Sequence, residues 1–159
     1  MEYNIAVVNS NSFGQVFTEH WKELEGIGNV KRFMLPTDID GKSLAEKLHG
    51  FNVIIASVTP FFNQEFFDNK DELLLISRHG IGFNNVDLHA AKKHGTQVAI
   101  VPQKVERNSV AENELANLMA LVRQVVPSSE RERAGRYEDR AQFMGNQFSG
   151  KTFGVIGCG

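Results

Sequence analysis

The sequence predicts a doubly wound α/β domain with five parallel strands, on three observations. Short apolar runs of strand length recur through the first hundred residues; residues at three- and four-residue helical spacing separate them; and one run, Val53-Ile54-Ile55-Ala56, is apolar throughout, as a strand covered on both faces must be. Strand and helix in alternation force parallel pairing through right-handed crossovers, because helices have to cover both faces of the sheet.

From the N-terminus, Tyr3 to Asn9 reads as the first strand, followed by a helix with Phe17, Trp21 and Leu24 on one face. Val30 to Met34 is the second strand. Asp40 or Lys42-Ser43 then opens a short helix through Leu44, Ala45 and Leu48. Phe51 to Val58 is the third strand, stopped by Thr59-Pro60, and Phe61, Phe62, Phe66 and Phe67 follow at helical spacing as residues that pack against the sheet. Leu73 to Ser77, Val86 to His94 and Thr96 to Val101 complete the rhythm as strand, helix and strand. The architecture expected for these residues is flavodoxin-like.

After residue 101 the rhythm breaks. Val110, Ala111, Leu115, Leu118, Met119, Val122 and Val125 lie at helical spacing across 108–126, with Asn108 or Ser109 as cap and Glu112 as early negative charge against the helix dipole. Such a helix, about 28 Å long, can link one domain to the next. Past Pro127, SSERERAGRYEDRAQ mixes charge signs evenly and reads as a solvated short helix and loop. The tail then runs from Gly150-Lys151-Thr152 through an expected strand, Phe153-Gly154-Val155-Ile156, into Gly157-Cys158-Gly159. A buried strand that delivers the chain to closely spaced glycines is the opening of a dinucleotide-binding unit: one glycine turns the backbone, and the next lets it approach a pyrophosphate. The expectation is a first domain over 1–104, then a linking helix and the start of a truncated Rossmann domain over 105–159.

Composition narrows the class. The 159 residues are 42% hydrophobic, enough for one sizeable core, and the net charge of -2 offers no general attraction to nucleic acid or anionic lipid. No apolar run has the length of a membrane span, and the start, MEYNIAVVNS, lacks the basic segment and cleavage site of a signal peptide. A soluble, cytoplasmic protein is expected. The single cysteine, Cys158, reads as a small passive side chain. His20, His49, His89 and His94 show no paired i, i+4 spacing, so no metal is expected.

One internal stretch points to chemistry. Ile76-Ser77-Arg78-His79-Gly80-Ile81-Gly82-Phe83-Asn84-Asn85-Val86-Asp87 places a strand end, two closely spaced glycines and a helix start in succession. Open α/β sheets bind ligands outside the carboxyl ends of their strands, and backbone N–H groups in a glycine-rich turn can hold a carboxylate without a side-chain charge. The same pattern also suits an ordinary turn.

RHGIGFNNVD, the following AAKKHGTQVAIVP, the later NSVAENELANLMALVRQV and the terminal GKTFGVIGCG stand in the order and at the approximate spacing of the D-isomer-specific 2-hydroxyacid dehydrogenase family, which the chain resembles over essentially its whole length. The family pattern usually carries Asp-Asn where this chain has Asn84-Asn85, and Pro-Gly where it has Pro102-Gln103. The resemblance implies a two-domain oxidoreductase using NAD, with NADP not excluded, and an active site in the cleft between domains. It implies that the Ile81 and Gly82 amides meet the substrate carboxylate beside Gly80, that Arg78 and His79 stand near it, that Gly157 and Gly159 shape the pyrophosphate turn, and that Val110 lies near the nicotinamide. No catalytic residue is assigned within the chain, because the family's arginine, carboxylate and histidine follow the glycine loop. A small 2-oxoacid or 2-hydroxyacid substrate and a homodimeric full-length parent follow, with no measurable turnover expected of the 159 residues alone.

Two other readings stay in view. A formate- or phosphite-type dehydrogenase of the same superfamily would share these motifs. A non-enzymatic flavodoxin-like interaction domain would share the fold, but Asn9-Ser10-Asn11 and Ser57-Val58-Thr59 supply no acidic pocket of the phospho-receiver kind, leaving only Ser10, Asn11 and Ser12 as a flavin contact.

Overall fold

The apolar runs form a parallel sheet because each crossover returns the chain to the same end of the sheet before the next strand begins. A computed structural model describes residues 3–157. Its strands are β1 (Tyr3–Val8), β2 (Gly28–Phe33), β3 (Val53–Ala56), β4 (Leu75–Arg78) and β5 (Gln97–Ala99), all parallel, in the order β2-β1-β3-β4-β5. Register pairs Val8 with Ala56 and Ala56 with Arg78, so β1, β3 and β4 end level with one another.

The helices begin where a polar side chain can replace a missing backbone partner. In α2 (Gly41–Lys47) Asp40 accepts from the Ser43 N–H at 2.8 Å; in α3 (Gln64–Asn69) Asn63 accepts from Phe66 at 3.0 Å; in α4 (Leu88–Lys93) Asp87 accepts from Ala90 at 2.9 Å. These three helices pack on one face, where Leu44, Ala45, Phe66, Phe67, Ala90 and Ala91 meet Ala6, Val8, Ile54, Ala56 and Ile76. Among the described residues 3–105, α1 (Thr18–Glu25) packs on the other face, with Trp21 and Leu24 against Ile5, Val7 and Ile55, and an apolar groove of about 500 Å³ lies beside it along Ile5, Ile27, Val53, Ile55 and Leu74. Of the four phenylalanines expected to pack, Phe62, Phe66 and Phe67 are buried, whereas Phe61 is exposed. Phe61 and Phe62 precede α3, and alternation sends one outward and one inward, with Phe62 bridged to Val86.

The chain divides into two compact units, Met1–Val105 and Glu106–Gly159. Helix α5 (Gln103–Val122) starts five residues before the expected 108. The stretch Gln103-Lys104-Val105-Glu106-Arg107 is made mostly of strong helix formers and follows Pro102, so Asn108 and Ser109 lie inside the helix rather than capping it. It ends at Val122, short of the expected 126, because Gln124 turns left-handed (φ 53°) and Pro127 cannot continue a helix. Pro127 instead sits in the first turn of α6 (Val125–Arg133), where a missing N–H is harmless. A 3₁₀ helix (Tyr137–Phe143) follows, and Arg131 pairs with Asp139 at 3.6 Å. The strand expected at Phe153–Ile156 is absent: the described residues of this unit include no other strand to pair with it, and Ile156 is fully exposed. None of residues 106–157 is buried.

Candidate functional site

The level ends of β1, β3 and β4 put Asn9-Ser10, Ser57 and His79 on one rim of the sheet. Asn9 adopts a left-handed conformation (φ 50°), one that asparagine tolerates, and its amide closes on the end of β2, accepting from Leu35 N–H at 2.7 Å and donating to the Leu35 carbonyl at 3.0 Å. Ser10 is buried, with its hydroxyl 2.8 Å from His79 Nδ1. Arg32, the charged residue near the end of β2, lies over the Trp21 ring at 4.7 Å and donates to the carbonyls of Ser10 and, at 2.6 Å, Phe13. Phe13 meets the His79 ring edge-on, centroids 5.3 Å apart.

Arg78 is 2% exposed, and its guanidinium donates to the Gly82 carbonyl at 2.8 Å and to the Ala56 carbonyl at 2.5 Å. It thereby ties the turn that follows β4 to the end of β3. Gly80, at φ 152°, supplies a conformation that side chains rarely adopt, and its carbonyl accepts from Val101 at 3.1 Å. Farther along, Asn85 is buried and donates to the Ser57 and Pro60 carbonyls at 3.1 and 3.0 Å. The turn is thus held at both ends by side chains that spend their donors on backbone carbonyls. Between the anchors, the N–H groups of Ile81 and Gly82 donate to no group among the described residues, and Gly82 is exposed. Two adjacent free amides on a braced turn can accept an anion without a side-chain counter-charge. The rim residues Asn9, Ser10, Asn11, Ser57 and Asn84 are all neutral, so none repels a carboxylate.

Arg78, His79, Gly80, Ile81 and Gly82 therefore come together at the carboxyl end of β4. Val110 and Gly157 belong to the second unit. Val110 lies two turns inside α5 and is exposed, rather than at the helix start as expected, for the reason that moved that start to Gln103. Gly157 has φ 83°, and Gly159, like Cys158, lies outside the described residues. Sequence reasoning missed Arg32, Phe13 and Asn85 as parts of the rim. The one available signal was a guanidinium near the end of β2, paired in register with the apolar Val7 of β1. Among the described residues no three potential metal ligands converge, and no helix is long and apolar enough to cross a membrane.

A family model described as the D-isomer specific 2-hydroxyacid dehydrogenase catalytic domain matches residues 3–140. The chain belongs to this family. Among its dehydrogenase relatives, the glyoxylate reductase of Pyrococcus furiosus is 27% identical over 77% of this chain and 38% of its own length. The D-3-phosphoglycerate dehydrogenase of Methanocaldococcus jannaschii is 30% identical over 87% of this chain and 25% of its own. The apo structure of D-lactate dehydrogenase from Escherichia coli superposes with a TM-score of 0.79 at 26% identity, covering 98% of this chain and 49% of that one. The chain thus spans well under two thirds of the length of the dehydrogenases it matches.

Proposed function

We propose that the chain provides the substrate end of an NAD(P)-dependent dehydrogenase whose parent enzyme transfers a hydride between the nicotinamide and C2 of a D-2-hydroxyacid or 2-oxoacid. The observation that carries this reading is the pair of unpartnered amides at Ile81 and Gly82, held on a turn braced by Arg78 and Asn85. In the proposal these amides take the substrate carboxylate, Gly80 gives the turn its shape, and Arg78 and His79 border the bound acid. Fixing the carboxylate fixes the distance and orientation of C2, which is the part of the reaction that positioning can supply.

The described residues do not by themselves compose a dinucleotide cradle, because residues 151–157 form neither a strand nor a helix start behind Gly157. Gly157, Gly159 and Val110 remain proposed cofactor contacts of a parent in which that unit is built out. The parent is proposed to be a cytoplasmic homodimer, and the 159 residues alone to lack turnover.

The carboxylate site is tested by following backbone amide resonances during titration with oxalate, a planar mimic of a 2-oxoacid. Saturable shifts of Ile81 and Gly82 are expected; their indifference would remove the basis of the reading. Saturable NADH oxidation with pyruvate or glyoxylate by a chain of verified mass would overturn the inactivity of the 159 residues.

A further inference from the structure

Resting on that reading and deepening it, we infer that His79, oriented by Ser10, reads the group on C3 of the substrate, so that the site favours 2-oxoacids with a hydrogen-bonding oxygen on C3 over those with a methyl. Ser10 is buried and commits its hydroxyl to His79 Nδ1 at 2.8 Å, while Phe13 packs against the ring at 5.3 Å. The loop carrying both residues is itself pinned from β2 by Arg32 through the Ser10 and Phe13 carbonyls. The imidazole is thus held on one nitrogen and one edge yet is exposed, and Nε2 has no partner among the described residues. The Ser10 hydroxyl can donate to Nδ1 or accept from it, so the contact fixes the orientation of the ring and leaves Nε2 to donate to or accept from an oxygen on the substrate.

His79 stands two residues before Ile81, which keeps their Cα atoms within about 7.2 Å. A three-carbon acid with a hydrogen bond at each end spans that range: its carboxylate on the Ile81 and Gly82 amides and its C3 oxygen on the imidazole. A methyl there would displace water from Nε2 and return nothing. Sites built to hydrogen-bond a substrate group reject the analogue that lacks it for this reason.

The test is a titration of the 159-residue chain with pyruvate and, separately, hydroxypyruvate, following the Ile81 and Gly82 amides and the His79 imidazole by NMR. Hydroxypyruvate should bind about fivefold more tightly, the yield of one modest hydrogen bond, and should alone move the imidazole resonances. His79→Gln should shrink the preference. As a positioning residue, Ser10 is tested by Ser10→Ala, which should reduce both the preference and the chemical-shift response of the His79 imidazole to hydroxypyruvate, with Ser10→Thr restoring both. Equal affinities with a silent imidazole, while the amides still respond, would overturn this inference and leave the carboxylate site standing. Amides that respond to neither acid would overturn both.

Discussion

At the scale of single residues, the rim is held by side chains whose donors are matched to backbone carbonyls. Replacing Arg78 by methionine keeps the buried volume approximately but takes the guanidinium donor from the Gly82 carbonyl and one of two donors from the Ala56 carbonyl, which keeps the His79 N–H; a loss of about 2–3 kcal/mol is expected in urea unfolding, since hydrogen bonds from charged groups are the stronger kind. Gly80→Ala should cost about 1–3 kcal/mol, because a side chain at φ 152° is strained, and should blunt the oxalate response of Ile81 more than it lowers stability elsewhere. On the opposite rim, Lys70 has an almost fully buried side chain and pairs with Asp71, which also accepts from the Gly50 N–H at 2.8 Å. Burial pushes the Asp71 carboxyl upward, but the hydrogen bonds from Lys70 and Gly50 and the charges of Lys70 and His49 outweigh it and hold it below its ordinary 3.8. A depressed carboxyl contributes stability that is present above its unfolded value and lost as pH falls through the folded one. Asp71 is exposed and its charge screened by water, so Asp71→Asn should lower stability near neutrality by less than about 1 kcal/mol and flatten the acid limb below pH 3.8, which chemical denaturation across pH would reveal.

At the scale of elements, the short helices depend on their first residues more than on their length. Helix α4 has six residues, too few to be stable by propensity, and Asp87 supplies its cap as well as being the residue that ends the glycine turn. Asp87→Ala should cost about 1 kcal/mol and raise hydrogen exchange at Ala90 first, since that is the amide released. Helices α2 and α3 meet where Gly41 approaches the cap of α3: a Cβ at Gly41 would stand 2.3 Å from Asn63 Oδ1 and 2.5 Å from Phe66 N. Neither a cap nor a backbone amide can yield there, so Gly41→Ala should uncouple the two helices and lower the unfolding midpoint more than any cap substitution; a midpoint shift no larger than that of Asp87→Ala would show that the helices can separate without loss.

At the scale of the whole molecule, the two units differ in what they bury. Unit one has a core on both sheet faces, whereas none of residues 106–157 is buried and Leu115, Leu121, Met144, Val155 and Ile156 are exposed. Slow amide exchange should be confined to residues 3–101, with 106–157 exchanging at rates near those of an open chain, because protection follows buried apolar contact. Strong protection along α5 would contradict this. Deleting residues 150–159 should lower the tendency to aggregate, since the apolar side chains of Phe153, Val155 and Ile156 stand in water.

Which residues alternate between strand and helix, and where the glycine turn falls, were legible from the sequence because periodicity and turn chemistry are local. The five strands and the run from Arg78 to Gly82 needed nothing else. The start of α5 was misread because Asn108 and Ser109 are good caps in isolation, and only the whole segment from Pro102 onward shows a helix already under way. The strand expected at Phe153–Ile156 failed for a related reason: apolar character is a property of the segment, but a strand exists only beside another. Tertiary structure alone decided that Ser10 and His79, 69 residues apart, share a hydrogen bond, that Arg32 braces the loop carrying Ser10 and Phe13, and that α2, α3 and α4 pack on one sheet face while α1 packs on the other. Those facts depend on strand order and on which ends lie level, and no local pattern of residues encodes either.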